Sequence, residues 1–86
     1  MQLEFSKEFD KQFKKLNSKQ QLKVENAIKQ FIIDKSVASL RLHALKGEWK
    51  NHFSISAGGD LRIHLKYIEE TNVLVVTVGT HSQLYK

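Results

Sequence analysis

The sequence predicts an α+β fold, with an N-terminal strand and a two-helix hairpin packed on one face of a twisted antiparallel β-sheet. Three observations carry this expectation. Apolar residues recur at helical spacing from Phe9 to Ile32, strict alternation takes over from Phe53, and Val73 to Val78 is apolar on both faces except at Thr77. With 86 residues, 41% of them apolar, the chain is expected to form a single domain over 1–86 without repeats.

Taken in order, Met1, Leu3 and Phe5 alternate with Gln2 and Glu4, the pattern of a short strand with one buried face. Ser6 offers an N-cap. Phe9, Phe13 and Leu16 then line one side of an amphipathic helix over residues 6–16, whose other side carries Lys7, Asp10, Lys11, Lys14 and Lys15. Ser18 with Gln21 fits a capping box, and Leu22, Val24, Ala27, Ile28, Phe31 and Ile32 mark a second helix to Asp34. So short a link between helices predicts a hairpin.

A connector from Ser36 to Leu42 leads to two half-buried strands. Phe53 and Ile55 alternate with His52, Ser54 and Ser56; Leu61, Ile63, Leu65 and Tyr67 alternate with Arg62, His64 and Lys66. Between them Ala57-Gly58-Gly59-Asp60 reads as a turn, because glycine takes positive φ without steric cost. If both apolar faces meet the helices, the opposite face gathers Lys50, His52, Ser54, Ser56, Asp60, Arg62, His64 and Lys66. Directly opposed residues share a face, so a three-residue loop pairs Ser54 with Arg62, His52 with His64 and Lys50 with Lys66, and a five-residue loop moves each partner by two.

Composition narrows the partners. The chain carries 14 Lys+Arg against 9 Asp+Glu, a net charge of +5, which favours an anionic partner such as nucleic acid, an acidic protein or a membrane surface. Cations crowded on one sheet face repel by up to about 1 kcal/mol per opposed pair, which points to an arriving anion, a phosphate backbone being the natural one. The absence of cysteine removes disulfides, thiolate metal sites and a cysteine nucleophile. Paired histidines among cations are a poor metal site, so no metal or other cofactor is expected. No segment matches a membrane span or a signal peptide, and a soluble, cytoplasmic protein is expected. Trp49 is read as core or rim packing.

The run Leu42-His43-Ala44-Leu45-Lys46-Gly47-Glu48-Trp49-Lys50, the hairpin Gly59-Asp60-Leu61-Arg62-Ile63 and the ending Val78-Gly79-Thr80-His81-Ser82-Gln83-Leu84-Tyr85 together resemble the RelE/ParE superfamily of bacterial toxins, closest to its YafQ-like branch. The likeness spans essentially the whole chain. It implies a metal-independent ribonuclease of a type II toxin-antitoxin pair, which cuts messenger RNA in the ribosomal A site and is neutralised by a cognate antitoxin with an acidic and apolar C-terminal segment. His43, Asp60 and His81 match catalytic positions of the YafQ-like branch, Arg62 matches a catalytic arginine of the RelE branch, and Tyr85 matches a C-terminal aromatic. Ser54 and Ser56 stand where YafQ-like enzymes often carry aspartate and histidine, and Leu61 replaces a tryptophan.

Transesterification of RNA needs a base for the 2′-OH, an acid for the leaving 5′ oxygen, and cations for the charge that builds on phosphorus. The expected roles are His81 as acid or base with Asp60 as its partner carboxylate, Arg62 gripping the scissile phosphate, and Tyr85 stacking on a base or assisting proton transfer. Lys46, Lys50, His64 and Lys66 are expected to hold RNA phosphates. The competing readings are a ParE-like gyrase inhibitor and a catalytically degenerate module that only binds antitoxin.

Overall fold

The computed structural model describes residues 1–85. The chain runs β1 (Gln2–Phe5), α1 (Lys7–Lys15), α2 (Ser18–Ile33), β2 (His43–Ala44), β3 (Phe53–Ser56), β4 (Leu61–Glu69), β5 (Asn72–Thr80) and a single-turn α3 (His81–Leu84). Two 3-10 turns, Ala38–Leu40 and Gly47–Trp49, flank β2. The strands form one five-stranded sheet in the order β1-β5-β4-β3-β2. The expected α+β architecture is therefore present, with α1 and α2 over one sheet face. There Phe9, Val24, Ala27 and Phe31 close the core against Ile55, Ile63, Leu65, Val73 and Val75.

Local chemistry explains the helix boundaries. Ser6 accepts a hydrogen bond from the Phe9 N–H (2.9 Å) and donates to the Val76 carbonyl (2.6 Å), so one hydroxyl both starts α1 and ties it to β5. Asn17 caps α2, and its side chain and that of Gln20 exchange hydrogen bonds with each other's backbone N–H. The capping box thus lies one residue earlier than the Ser18-Gln21 pair suggested, since Asn caps as well as Ser and leaves Ser18 free to begin the helix. The Gln21 side-chain amide donates to the Phe13 carbonyl (2.9 Å), closing the helical hairpin.

Three expectations about the sheet change. First, β1 pairs with β5 in parallel, so the sheet is mixed: the helical hairpin acts as a crossover that returns the chain to the same direction. Beyond Phe5, where β1 stops, the Gln12 side chain accepts from the Val78 N–H (2.9 Å) and completes the edge of β5. The buried face of β1 also reduces to Leu3, because Phe5 is 45% exposed and rests on the Phe9 ring.

Second, His43 lies in a short edge strand, β2, opposite Ser54, an element that the spacing of apolar residues does not mark. Third, the hairpin takes the register of the longer loop: Ser56 opposes Arg62 and Ser54 opposes His64. Gly58 (φ 101°) and Gly59 (φ 53°) make the turn in conformations that favour glycine, and the Ala57 N–H bonds the Leu61 carbonyl at 2.9 Å. Lys50 and His52 precede β3 and face no cation across a ladder.

Candidate functional site

The face opposite the helices is partly roofed. The second 3-10 turn lays Trp49 over it, with the indole 4.4 Å from the His64 ring centre and nearly perpendicular to it. The indole N–H donates to the Leu84 carbonyl (3.2 Å), fastening α3 to the same place. From the end of α3, Tyr85 reaches back so that its hydroxyl lies 3.0 Å from His64 Nε2. Ser54 and His64 are consequently fully buried. Burial, with smaller contributions from His52 and His43, lowers the His64 pKa from 6.5 to about 4, so its imidazole is neutral at physiological pH. The sequence reading of His64 as a surface cation for phosphate is corrected accordingly: its neighbours are aromatic rings, and it carries no charge.

Next to this aromatic roof a cavity of about 430 Å³ opens between β2, the far end of the β3–β4 hairpin and α3. His43, Arg62, His81 and Tyr85 line it, together with Arg41, Leu45, Ser54 and Ser56. Thus four of the five residues expected to be catalytic meet in one place, although they come from separate stretches of chain. Asp60 does not join them. It is exposed at the hairpin turn, outside the lining, and its link to His81 is through the main chain, the His81 N–H donating to the Asp60 carbonyl (2.9 Å). Lys46, Lys50 and Lys66 are also exposed and outside the lining.

Each lining group has a local reason for its pose. Arg41 adopts a left-handed backbone (φ 50°, ψ 40°), unusual for a residue with a side chain, and its carbonyl accepts from His43 Nδ1 at 2.7 Å. A carbonyl only accepts, so the proton of neutral His43 lies on Nδ1 and the lone pair on Nε2 is free. Arg62 Nη1 donates to Ser56 Oγ (3.2 Å) and to the Gly59 (2.8 Å) and Leu61 (3.0 Å) carbonyls, which anchors one arm of the guanidinium in the hairpin.

His81 is held by α3. Thr80 and Gln83 form a reciprocal capping box around that turn, and the His81 ring lies 4.5 Å from the Tyr85 ring. Gly79 lies underneath, where a Cβ would come within 2.9 Å of Gln83 Oε1 and press on the capping side chain. Among the described residues no three histidine, aspartate or glutamate side chains gather as metal ligands. A larger cleft of about 580 Å³ runs between α1, Trp49 and α3, but no histidine or arginine lines it.

Arg41 was missed by sequence reasoning. Its signal was present as a cation two residues before His43, but nothing in the local pattern foretold the left-handed turn that aims its carbonyl at the imidazole.

The arrangement has known counterparts. The sequence matches, over residues 1–86, the family described as bacterial toxin of type II toxin-antitoxin system, YafQ. Among solved structures, YafQ from E. coli strain BL21(DE3) superposes with a TM-score of 0.82 at 19% identity, covering 98% of this chain and 97% of that one. The E. coli DinJ-YafQ toxin-antitoxin complex gives 0.80 at 20% identity, covering 98% and 96%. A YoeB/ParE toxin from Agrobacterium tumefaciens gives 0.76 at 13% identity, covering 94% and 99%. At these identities the structural likeness is one of fold. A search of curated protein sequences finds no match.

Proposed function

The chain belongs to the YafQ family of bacterial type II toxin-antitoxin toxins, and from that membership we propose that it is an endoribonuclease that cuts messenger RNA on the translating ribosome. The observation that carries this reading is the meeting of His43, His81 and Arg62 in one open cavity. Two imidazoles and a guanidinium are the groups that phosphodiester transesterification uses, and a pure binding surface has no need of them.

The chemistry divides among them as follows. The free Nε2 of His43 takes the proton of the ribose 2′-OH, whose oxygen attacks the adjacent phosphorus. His81, protonated, gives its proton to the departing 5′ oxygen, leaving a 2′,3′-cyclic phosphate on one product and a 5′-OH on the other. The guanidinium of Arg62, with Nη1 anchored, presents its remaining N–H groups to the phosphate oxygens as negative charge builds. Tyr85, beside His81, contributes a hydroxyl and an aromatic face to the bound nucleotide. Lys46, Lys50 and Lys66 hold flanking phosphates outside the cavity, and Asp60 acts through the backbone bond that positions α3. Every proton and charge in the scheme is handled by a side chain, so no metal or cofactor is assigned.

The same reading includes a cognate antitoxin, as in the DinJ-YafQ complex. Leu22 and Ile33, three turns apart on α2, share one stripe and are 58% and 83% exposed, which supports an apolar element of the partner along this helix.

The test is induction of the chain in cells, followed by primer extension on abundant transcripts. Discrete cuts within translated frames, lost in His43→Ala and His81→Ala, are expected. Intact transcripts accompanied by DNA-damage signals would instead favour a gyrase-directed toxin.

A further inference from the structure

Among the described residues, two buried side-chain atoms have no hydrogen-bond partner: Ser54 Oγ and His64 Nδ1. They are not scattered. Ser54 and His64 oppose each other directly on β3 and β4, where such pairs bring Cβ atoms to about 4.5–5.5 Å, and Ser54 lines the same cavity as Tyr85. The other ring nitrogen of His64 already faces Tyr85 Oη at 3.0 Å. A line of polar groups therefore runs from Ser54 through the His64 ring to the phenol that opens on the site. No hydrogen bond joins Ser54 Oγ to His64 Nδ1 in this geometry, and a change of the Ser54 side-chain rotamer is what closes the line.

We propose that Ser54 and His64 are positioning residues behind Tyr85: the Ser54 hydroxyl donates to His64 Nδ1, the ring proton sits on Nε2 and donates to Tyr85 Oη, and the phenol's own proton is left to point into the cavity. Proton counting selects this direction. In the reverse one, Tyr85 donates to Nε2 and Nδ1–H to Ser54 Oγ, so the Ser54 proton is stranded in a fully buried place with no acceptor. In the proposed direction every buried donor has an acceptor, and the unmatched proton is the one facing substrate.

The surroundings suit a neutral relay. The ring is packed under Trp49 and opposes Thr77 on β5, and the titratable side chains acting on it, His52 and His43, both disfavour a charge there. Tyr85 is thereby fixed as a hydrogen-bond donor toward a phosphate or leaving oxygen.

The use of this relay rests on the ribonuclease reading, but its proton arrangement belongs to the resting protein and is read separately. In long-range 1H–15N spectra of the full chain, His64 is expected as the neutral Nε2–H tautomer, and Ser54→Ala is expected to move the Nδ1 resonance as that nitrogen loses its donor. An Nδ1–H tautomer in the wild type, or no change in Ser54→Ala, overturns the proposal even if the protein cuts RNA.

On translating ribosomes, His64→Leu should lower kcat about tenfold with KM within about twofold, while His64→Gln, which keeps an N–H near the Nε2 position, recovers most of the rate. Equal losses in folded Leu and Gln variants, or full activity in the Leu variant, also overturn it. Absence of cleavage by the wild type would instead sink the ribonuclease reading and leave the spectra to decide the relay.

Discussion

His64 shows how one side chain links stability to the site. Its pKa is lowered from 6.5 to about 4 chiefly by burial, so the folded form resists a proton that the unfolded chain accepts. Stability from this group is fully present above pH about 6.5 and is lost as pH falls toward about 4, on the order of 2 kcal/mol after relaxation of the surroundings. Urea unfolding across that range should show the decline, and His64→Gln should flatten it. Arg41 makes a second residue-scale case. Its left-handed backbone holds the carbonyl against His43, so Arg41→Gly should keep or raise stability, by up to about 1 kcal/mol, while weakening RNA binding through loss of a cavity cation. A binding assay alongside thermal unfolding separates the two effects.

The elements differ in how far the sequence declares them. Periodicity located both helices and the alternation of Ile55 and Ile63 against Ser54 and His64, because these follow from spacing within one segment. The hairpin register, the parallel pairing of β1 and the roof over His64 do not, since they depend on turn geometry and on contacts between distant segments. Trp49 and Tyr85 lie in a 3-10 turn and a chain end, where no period marks a buried face. The candidate set His43, Arg62, His81, Tyr85 and Asp60 comes from the family resemblance, with the lysines set apart as phosphate contacts, and nothing in the sequence tells that Asp60 alone of the five stays outside the cavity. The role of α3 is testable as a unit. In Gly79→Ala the new methyl meets Gln83 Oε1, which is engaged as a cap, so the turn should loosen at a cost of about 1 kcal/mol and cleavage should fall further than stability. Trp49→Phe, which keeps an aromatic ring but removes the bond to the Leu84 carbonyl, should act in the same direction.

At the scale of the molecule, a chain of 86 residues uses its two sheet faces for different purposes. The helical face supplies the core, while the other is part aromatic roof and part open cavity, with its cations at the rim. Under the proposed function, net charge of +5 and an apolar stripe on α2 address different partners: RNA phosphates at the cavity, and an antitoxin along the helix. Ile33→Glu should weaken the antitoxin complex without changing cleavage, whereas raising salt should depress RNA binding far more than antitoxin binding. The measurement that addresses the central claim most directly is the chemistry of the cut ends, with purified protein, translating ribosomes and end-labelled message. The account predicts 2′,3′-cyclic phosphate and 5′-OH termini, formed by the wild type and lost in His43→Ala and His81→Ala. Uncut message, or products ending in 5′-phosphate and 3′-OH, would contradict it.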